Sequence, residues 1–307
     1  IKIDDLILAA SEKSIGKTLY FKNNEYPIVS IHDALKQQPN VALFSAGANV
    51  SLEWAPLFAQ NGCYVIDNSS AWRKDKTKKL IVPEVNGHSI TKEDRIIANP
   101  NCSTIQLVVT INPLHIAYRI KRIVISTYQS VTGTGAKAVK QLENERNNID
   151  GEKVYPYQID MNCFPHGGTF LENGYTTEEM KLIDETRKII GDNNINISPT
   201  VVRIPVIGGH SESVNIEFYN NFNIEDVYQI LNNSPGITVI DDITSTPPLY
   251  PMPIIAKKRN DVLVGRIRQD LSQKNSLNLW IVADNLRKGA ATNAIQILNL
   301  LIEKSYV

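Results

Sequence analysis

Short apolar runs alternate with helical patterns through the first hundred residues, and this alternation is the strongest constraint on how the chain can fold. Four apolar runs, at 5–11, 41–47, 63–70 and 95–100, are predicted to be buried strands, and the segment 51–62 is predicted to be a helix. Such an alternation favours a doubly wound, Rossmann-like parallel sheet, whose ligands bind at the carboxyl ends of the strands. The small or polar clusters that end three of these strands are Ser45-Ala46-Gly47, Asn68-Ser69-Ser70 and Asn99-Pro100-Asn101.

The pattern changes near residue 120, where strands of period-two alternation mix with helices. The predicted strands are 122–129, 213–219, 262–269 and 277–283, and the predicted helices are 136–147, 177–190 and 225–233. This mixture indicates an α+β domain with a mixed sheet. The chain then ends in a helical apolar stripe formed by Ala294, Ile297, Leu298 and Leu301. We therefore predict two domains, each with its own core.

The composition narrows the classes of function. The 32 basic residues balance 32 acidic ones, so no attraction to nucleic acid or to an anionic membrane is expected. No apolar stretch approaches the roughly 20 residues that span a bilayer. The three cysteines form no C-x-x-C pair, which argues against disulfides and thiolate metal sites and favours the reducing cytoplasm. Small molecules and other protein chains are the expected partners, and no metal is expected.

The segment "RIIANPNCSTIQLVV" stops a predicted strand at Asn-Pro-Asn and places Cys102 where a helix can begin. Pro100 disfavours the α region for Asn99, so the strand ends there. A thiol in the first turn of a helix meets backbone N–H groups and the positive end of the helix dipole, and both favour the thiolate. Lowering a cysteine pKa from about 8.5 to about 7 is worth roughly 2 kcal/mol. The same N–H groups could bind an oxyanion, although spacing alone leaves open that Cys102 is a small buried hydrophobic residue.

A cysteine nucleophile needs a proton-transfer partner, and His210 is the most suggestive of the five histidines. It follows a strand-like run and two glycines in "VRIPVIGGHSES", seven residues after Arg203. The planar guanidinium of an arginine near a nucleophile can bind a substrate carboxylate in bidentate fashion. These residues alone leave open that His210 lies in a surface loop.

Several separate blocks resemble the bacterial aspartate-semialdehyde dehydrogenases in order and spacing over essentially the whole chain. The blocks are "IIANPNCST", "TYQSVTGTGA", "LENGYTTEEMK", "VRIPVIGGHSES", "YPMP" and "WIVADNLRKGAATNAIQI". The resemblance implies that Cys102 is the nucleophile of the family's N-C-[ST] motif and that His210 is its acid/base partner. It also implies that Gln129 orients the substrate. The resemblance further implies a dinucleotide-binding domain from 1–102 and 285–307, and a catalytic and dimerisation domain from 103–284.

The same resemblance implies a set of substrate contacts. Arg203 is similar to the arginine that binds the substrate α-carboxylate, and Glu178 to the acid that receives the ammonium group. Lys181 and Arg73 resemble the two cations that contact phosphate, and Asn101 is placed with the substrate-binding residues. Glu178 and Lys181 lie three apart on a predicted helix and so share a face, although these two alone would equally fit a solvated ion pair.

The cofactor that the resemblance implies is NADP. The segment "ASEKSIGK" resembles the family's A-S-x-R-S-x-G-K segment, which meets the ribose 2′-phosphate, and Lys13 stands there in place of the usual arginine. A lysine would hold that phosphate as a point charge rather than as a planar fork. The implied cofactor contacts are Ser11, Lys13 and Ser14 at the phosphate, Thr132 and Gly133 near the nicotinamide, and Asn285.

Family members also carry a first strand and a G-x-[TS]-G-x-x-G loop that cradles the pyrophosphate. Residues 1–40 contain no such fingerprint. We therefore expect an amino-terminally truncated dinucleotide-binding domain that binds NADP weakly and exposes a sheet edge.

The implied function is the NADP-dependent reductive dephosphorylation of L-aspartyl 4-phosphate to L-aspartate 4-semialdehyde, through a cysteine thioester. This step belongs to lysine (diaminopimelate), threonine and methionine biosynthesis, and the resemblance further implies inorganic phosphate as a ligand and a homodimer. One alternative is a non-catalytic dimeric paralogue of the same fold. Another is N-acetyl-glutamyl-phosphate reductase, whose motif N-P-G-C-Y differs from this chain at Asn101 and Ser103.

Overall fold

The computed structural model describes residues 3–307, which divide into two compact units. The first unit contains the residues up to Pro83 together with Gly87–Asn99 and Ala294–Val307. The second contains Glu84–Asn86 and Pro100–Asn293.

The first unit carries two sheets. Its strands are β1 (Leu8–Ala9), β2 (Thr18–Phe21), β3 (Asn24–Val29), β4 (Val41–Phe44), β5 (Tyr64–Asp67), β6 (Lys79–Leu80) and β7 (Ile96–Ala98). Its helices are α1 (Ile31–Lys36), α2 (Ala48–Gln60) and most of α9 (Thr292–Glu303), and the short helix α3 (Pro83–Asn86) lies where the two units divide.

A four-stranded parallel sheet, in the order β4-β5-β7-β6, forms the centre of this unit. One face packs against α9, whose stripe buries Ala294, Ile297 and Leu301 on Tyr64 and its neighbours. The other face carries α1 and α2, and the buried residues there are Ala34, Phe44, Ala55, Phe58, Cys63, Val65 and Ile96. Because helices cover both faces, the doubly wound architecture predicted from the sequence is confirmed.

The first predicted strand is much shorter than expected. Of residues 5–11 only Leu8–Ala9 form a strand, because only these two pair with a neighbour, in β3, and none of 5–11 is buried. The antiparallel β2–β3 hairpin is missing from the sequence prediction. Its two-residue turn places Lys22 and Asn23 at φ 47° and 67°. The strongest sequence signal for such a turn is Asn-Gly, which this chain lacks there.

The second unit is built from longer elements. Its strands are β8 (Ile120–Gln129), β9 (Asn196–Arg203), β10 (His210–Phe218), β11 (Ile237–Val239), β12 (Val262–Gln269) and β13 (Ser276–Ala283). Its helices are α4 (Cys102–Tyr118), α5 (Ala136–Arg146), α6 (Thr177–Ile190), α7 (Ile224–Asn232) and α8 (Pro253–Ala256).

These six strands form one mixed sheet in the order β11-β12-β13-β10-β8-β9. The β8–β9 and β11–β12 pairs are parallel and the others antiparallel, so the predicted mixed sheet is confirmed. Helix α4 packs against this sheet and against α6 and α7, and it is buried around most of its circumference. Among residues 3–307, no helix has both the length and the apolar character needed to cross a membrane.

Candidate active site

Cys102 is the first residue of α4, as the Asn-Pro-Asn break predicts. The residue before it, Asn101, is the N-cap, with extended backbone at φ −62° and ψ 145°. Its Oδ1 accepts a hydrogen bond from the Ser103 N–H at 3.0 Å, so part of the first turn is already capped. The Cys102 side chain is half-buried. The thiol therefore lies at the positive end of a long, rigidly packed helix, where a thiolate is favoured.

Asn101 also ties this helix terminus to α6. Its Nδ2 donates to Glu178 Oε2 at 2.9 Å, and its backbone N–H donates to Glu185 Oε2 at 2.7 Å. Both acids are on α6, which begins with a capping box between Thr176 and Glu179. The strand-to-helix junction that carries Cys102 is thus fixed by two carboxylates.

Glu178 and Lys181 form an ion pair across one turn of α6, on one face of the helix. Both side chains are partly buried, at 18% and 24% exposure for Glu178 and Lys181. Since Asn101 lies beside Glu178, this pair is within reach of a ligand held at the start of α4, which a solvated surface pair would not be.

His210 begins β10 and is fully buried. Burial, and then the positive charge of Arg203, lower the pKa of His210 from 6.5 to about 3. Its Nδ1 accepts a hydrogen bond from the Ser130 N–H at 3.1 Å, so the neutral ring carries its proton on Nε2. Nε2 is buried and has no hydrogen-bond partner in the described part of the chain. The alternative of a surface-loop histidine is wrong, because the strand pairing of β10 buries the ring.

Arg203 ends β9 and is 6% exposed. Its Nη1 donates to the Ser130 carbonyl at 2.8 Å, and its guanidinium lies over the Tyr155 ring at 5.9 Å. Its Nε is buried and makes no hydrogen bond within residues 3–307. A buried guanidinium with an unused donor is suited to an anionic ligand, because a buried charge is stabilised by pairing.

Gly133 brings these two side chains together. A Cβ added at Gly133 would lie 2.9 Å from His210 Nε2 and 3.3 Å from Arg203 Nη1. Only glycine permits such a close approach. The imidazole and the guanidinium therefore converge on one point, against the backbone of the loop that follows β8.

Gln129 and the segment after β13 complete the surroundings of Cys102. Gln129, at the end of β8, is buried, and its Nε2 donates to Ser103 Oγ at 3.0 Å. A Cβ added at Gly289 would lie 2.7 Å from Cys102 Cβ. Thr132 Oγ1 and Asn285 Oδ1 are 2.8 Å apart, which joins the loop after β8 to the segment after β13.

We use the name catalytic cluster for the five candidate residues Cys102, Gln129, Gly133, Arg203 and His210. Its members come from α4, β8, β9, β10 and the loop after β8, all within the second unit. The other predicted residues of this unit contact one another. Asn101 contacts Glu178, which pairs with Lys181, and Thr132 contacts Asn285.

The remaining predicted residues belong to the first unit. Arg73 follows β5 and donates from Nη2 to the Asn68 carbonyl at 2.7 Å. Ser11, Lys13 and Ser14 lie in and beside a short 3₁₀ turn after β1, where Ser11 and Lys13 are exposed and Ser14 is half-buried. These side chains are accessible from solvent.

Two residues near the cluster are missing from the sequence prediction. Ser130 contacts both His210 and Arg203 through its backbone, and its Oγ accepts from the Gly208 N–H at 3.0 Å. Gly289 lies in the π-helical turn Arg287–Ala291, a feature that recurs at functional sites. A glycine inside the helical pattern "LRKGAATNAIQI" is the one signal that could have indicated this close approach.

Comparisons with known proteins match both units of the chain to semialdehyde dehydrogenases. Residues 1–93 match the family model described as "Semialdehyde dehydrogenase, NAD binding domain", and residues 111–288 match "Semialdehyde dehydrogenase, dimerisation domain". The chain is 48% identical to an aspartate-semialdehyde dehydrogenase of Aquifex aeolicus, over 99% of this chain and 92% of that protein. It is 46% identical to one of Legionella pneumophila, over 97% and 88%.

A solved structure is similar to this chain over nearly its whole length. The crystal structure of aspartate semialdehyde dehydrogenase II from Vibrio cholerae, complexed with ASA, superposes with a TM-score of 0.93 at 42% identity. The superposition covers 98% of this chain and 90% of that chain.

Proposed function

The chain belongs to the aspartate-semialdehyde dehydrogenase family, and we propose that it converts L-aspartyl 4-phosphate and NADPH to L-aspartate 4-semialdehyde, NADP and phosphate. The single observation that carries this proposal is the convergence of the Arg203 guanidinium and the His210 ring on Gly133. Each of these side chains has a buried nitrogen without a partner among residues 3–307. Such a cluster suits a small substrate that brings both an anion and a reacting carbonyl.

The proposed covalent step begins at Cys102. Its thiolate attacks the acyl phosphate carbon, the new C–S bond forms, and the C–O bond to phosphate breaks, which leaves a thioester. Lys181 and Arg73 are proposed to contact the departing phosphate. The carbonyl oxygen becomes negatively charged during the attack, and the amino-terminal end of α4 stabilises that charge.

His210 acts as a donor in this proposal. Because its proton lies on Nε2 and its ring is neutral at physiological pH, it can donate a hydrogen bond to negative charge on oxygen or sulfur. When the thiohemiacetal anion collapses, the C–S bond breaks, an electron pair on oxygen forms the aldehyde C=O, and the His210 Nε2–H donates a hydrogen bond that stabilises the thiolate that leaves.

The substrate would be oriented by charges at both ends. Arg203 would bind the α-carboxylate through its unused Nε, and Glu178 would receive the ammonium group. Asn101 contacts Glu178 directly, at 2.9 Å, and so would help to orient that carboxylate. Gln129 would position the acyl group, because its Ser103 contact holds it beside the first turn of α4.

The residues present fit NADP. The Ser11 and Lys13 side chains make no hydrogen bond or ion pair to another side chain in the described part of the chain, so both remain available for a 2′-phosphate. Ser14 lies in the same turn. Thr132, Gly133 and Asn285 would contact the nicotinamide end. The chemistry that NADPH supplies when bound is hydride donation to the thioester carbon.

We further propose a homodimer, inorganic phosphate as substrate of the reverse reaction, and the functional domains 1–102 with 285–307 and 103–284. The homodimer is supported by the match of 111–288 to a dimerisation-domain model. The second domain so defined contains every member of the catalytic cluster except Cys102, which is the last residue of the range 1–102.

The test is the reverse reaction, in which the protein is given aspartate semialdehyde, NADP and phosphate, and NADPH formation is followed at 340 nm. We expect phosphate-dependent turnover that falls by about 10⁴-fold or more in Cys102→Ala, because the nucleophile is lost. Cys63→Ala is the matched control: Cys63 is buried in the first unit, and burial raises the pKa of its thiol to about 12. Equal rates without phosphate, or unchanged turnover in Cys102→Ala, would refute the mechanism.

A further inference from the structure

A buried acid that the proposed mechanism does not use lies on the strand of His210. Glu212 is the third residue of β10 and is fully buried. Because alternate residues of a strand point to the same face, Glu212 and His210 share one face of the sheet. The Gln106 side chain of α4 lies against the Glu212 carboxyl. Glu212 therefore lies between the sheet and the helix that begins at Cys102.

No cation within residues 3–307 pairs with Glu212. Its cross-strand neighbours are Thr127 on β8 and Ile281 on β13, and from α4 it meets Gln106. The nearest titratable group on the same face of β10 is His210, two residues before Glu212, and the nearest on α4 is Cys102, one helical turn before Gln106. Tyr128, which follows Thr127 on β8, points to the other face of the sheet. No ion pair involves Glu212 within residues 3–307.

An isolated carboxylate in such a place is strongly disfavoured, so the acid holds its proton. Burial raises the pKa of Glu212 well above its usual range, and the Gln106 amide only partly offsets this. The protonated acid is both a donor and an acceptor, which a carboxylate is not.

Polar atoms from three elements face one another here. The buried side-chain atoms that lack a hydrogen-bond partner in the described chain include Glu212 Oε1 and Oε2, Gln106 Oε1 and Nε2, and Thr127 Oγ1. Buried polar groups in native proteins are nearly always satisfied, and here the Gln106 amide lies against the Glu212 carboxyl while Thr127 is its cross-strand partner. Cross-strand partners have Cβ atoms about 5 Å apart, which lets a glutamate reach a threonine hydroxyl.

We propose that Glu212 is a positioning residue, which as an uncharged acid shares hydrogen bonds with Gln106 and Thr127 and so holds the helix of Cys102 in register with the strand of His210. Both residues lie close to the reacting groups, since Gln106 is one helical turn after Cys102 and Glu212 is two residues after His210. A shift of about 1 Å between reacting groups can cost about 100-fold in rate. The inference rests on the proposed function for its kinetic readout.

The experiment compares two substitutions of Glu212 in the same assay. Glu212→Gln keeps the shape and both hydrogen-bonding roles of the protonated acid, so its kcat is expected within about twofold of the unsubstituted protein. Glu212→Leu keeps the volume but removes the hydrogen bonds, so kcat is expected to fall at least about 10-fold while KM for aspartate semialdehyde changes less than about threefold. Ser211→Ala is the matched control, because Ser211 is buried on the same strand but faces the other side of the sheet.

A second readout follows the nucleophile itself. The rate of Cys102 alkylation by iodoacetamide is measured against pH, with Cys102→Ala as the blank. In Glu212→Leu the midpoint of that profile is expected to move, and in Glu212→Gln and Ser211→Ala it is expected to stay. A merely structural loss of stability would lower the melting temperature without moving this midpoint.

Gln106→Leu removes the helix side of the link and keeps the proposal testable if Glu212→Leu does not fold. It should lower kcat like Glu212→Leu, and the double variant should lose little more than either single variant, because both remove the same contact. Wild-type kcat in Glu212→Leu or Gln106→Leu would overturn the proposal, and so would equal losses in Glu212→Gln and Glu212→Leu. An unsubstituted protein that lacks phosphate-dependent turnover refutes the proposed function instead, and the alkylation profile then decides the role of Glu212.

Discussion

The start of α4 and the turn after β1 are built in opposite ways, although both are proposed to contact a ligand. At the start of α4, Asn101 and Ser103 are buried, and side-chain hydrogen bonds cap the helix and tie it to α6. In the turn after β1, Ser11 and Lys13 are exposed, and no side chain caps the 3₁₀ turn.

This difference follows from what each region is proposed to do. Reacting atoms need a fixed geometry, because small displacements are costly in rate. A phosphate-binding cation needs only to be near and positively charged, and an exposed lysine can adjust to its ligand. Substitutions around the catalytic cluster should therefore lower kcat, whereas those in the turn after β1 should change KM for the cofactor.

Of the substitutions that test this contrast, Gly133→Ala is expected to have the largest effect. The new methyl group would meet His210 Nε2 and the Arg203 guanidinium, so one of them must move. We expect kcat to fall about 100-fold, measured by steady-state kinetics. Gly151→Ala is the control, since its methyl group would meet only the end of the Asn144 side chain in an exposed loop. A Gly133→Ala variant that raises only KM for NADP would show that Gly133 serves the cofactor alone.

An intermediate effect is expected on the pH dependence of the unfolding free energy, through His210. The folded-state pKa of His210 lies at about 3, below its usual 6.5, so below pH 6.5 the unfolded chain binds a proton that the folded protein does not. The folded state should lose about 1.4 kcal/mol per pH unit from this group as pH falls from 6.5 toward 3.

The comparison that isolates this effect is His210→Asn against the unsubstituted protein, by urea unfolding at pH 7.5, 6 and 5. As the pH falls, the unfolding free energy of the unsubstituted protein should decrease more than that of His210→Asn. A difference that is constant across this range would mean that the ring binds its proton equally well in the folded and unfolded states, which contradicts the lowered pKa of His210.

The smallest effect is expected at Lys13. Lys13→Ala should raise KM for NADP by roughly fivefold to tenfold, because one charge-assisted contact is lost, and should leave kcat and KM for NAD almost unchanged. Lys13→Arg should lower KM for NADP, since a guanidinium can grip the phosphate with two donors. Lys92→Ala, which replaces an exposed lysine outside this segment in the first unit, is the control. An unchanged NADP to NAD ratio in both Lys13 variants would place the 2′-phosphate elsewhere.

The sequence prediction succeeded where the signal is local. The helix predicted at 177–190 is observed at those residues, and the strand predicted at 122–129 is extended by only two residues. The prediction failed for the segment 5–11 and for the β2–β3 hairpin, because a strand exists only where a neighbour pairs with it. Apolar periodicity predicts which face of a segment is buried but not which other segment covers it.

For the candidate site, the sequence by itself determined the reacting residue types and their immediate neighbours. Pro100 ends the strand, Asn101 caps the helix and Cys102 begins it, and all three effects act within a few residues. The spacing of Glu178 and Lys181 likewise sets them on one face of a helix.

Only the tertiary structure decided the electrostatics and the close approaches. The neutral state and tautomer of His210, the raised pKa of Glu212 and the contacts of Gly133 and Gly289 all depend on elements that are distant along the chain. The physical reason is that desolvation and steric contact are set by which surfaces meet in the folded core, and the order of residues in one segment does not specify its neighbours in space.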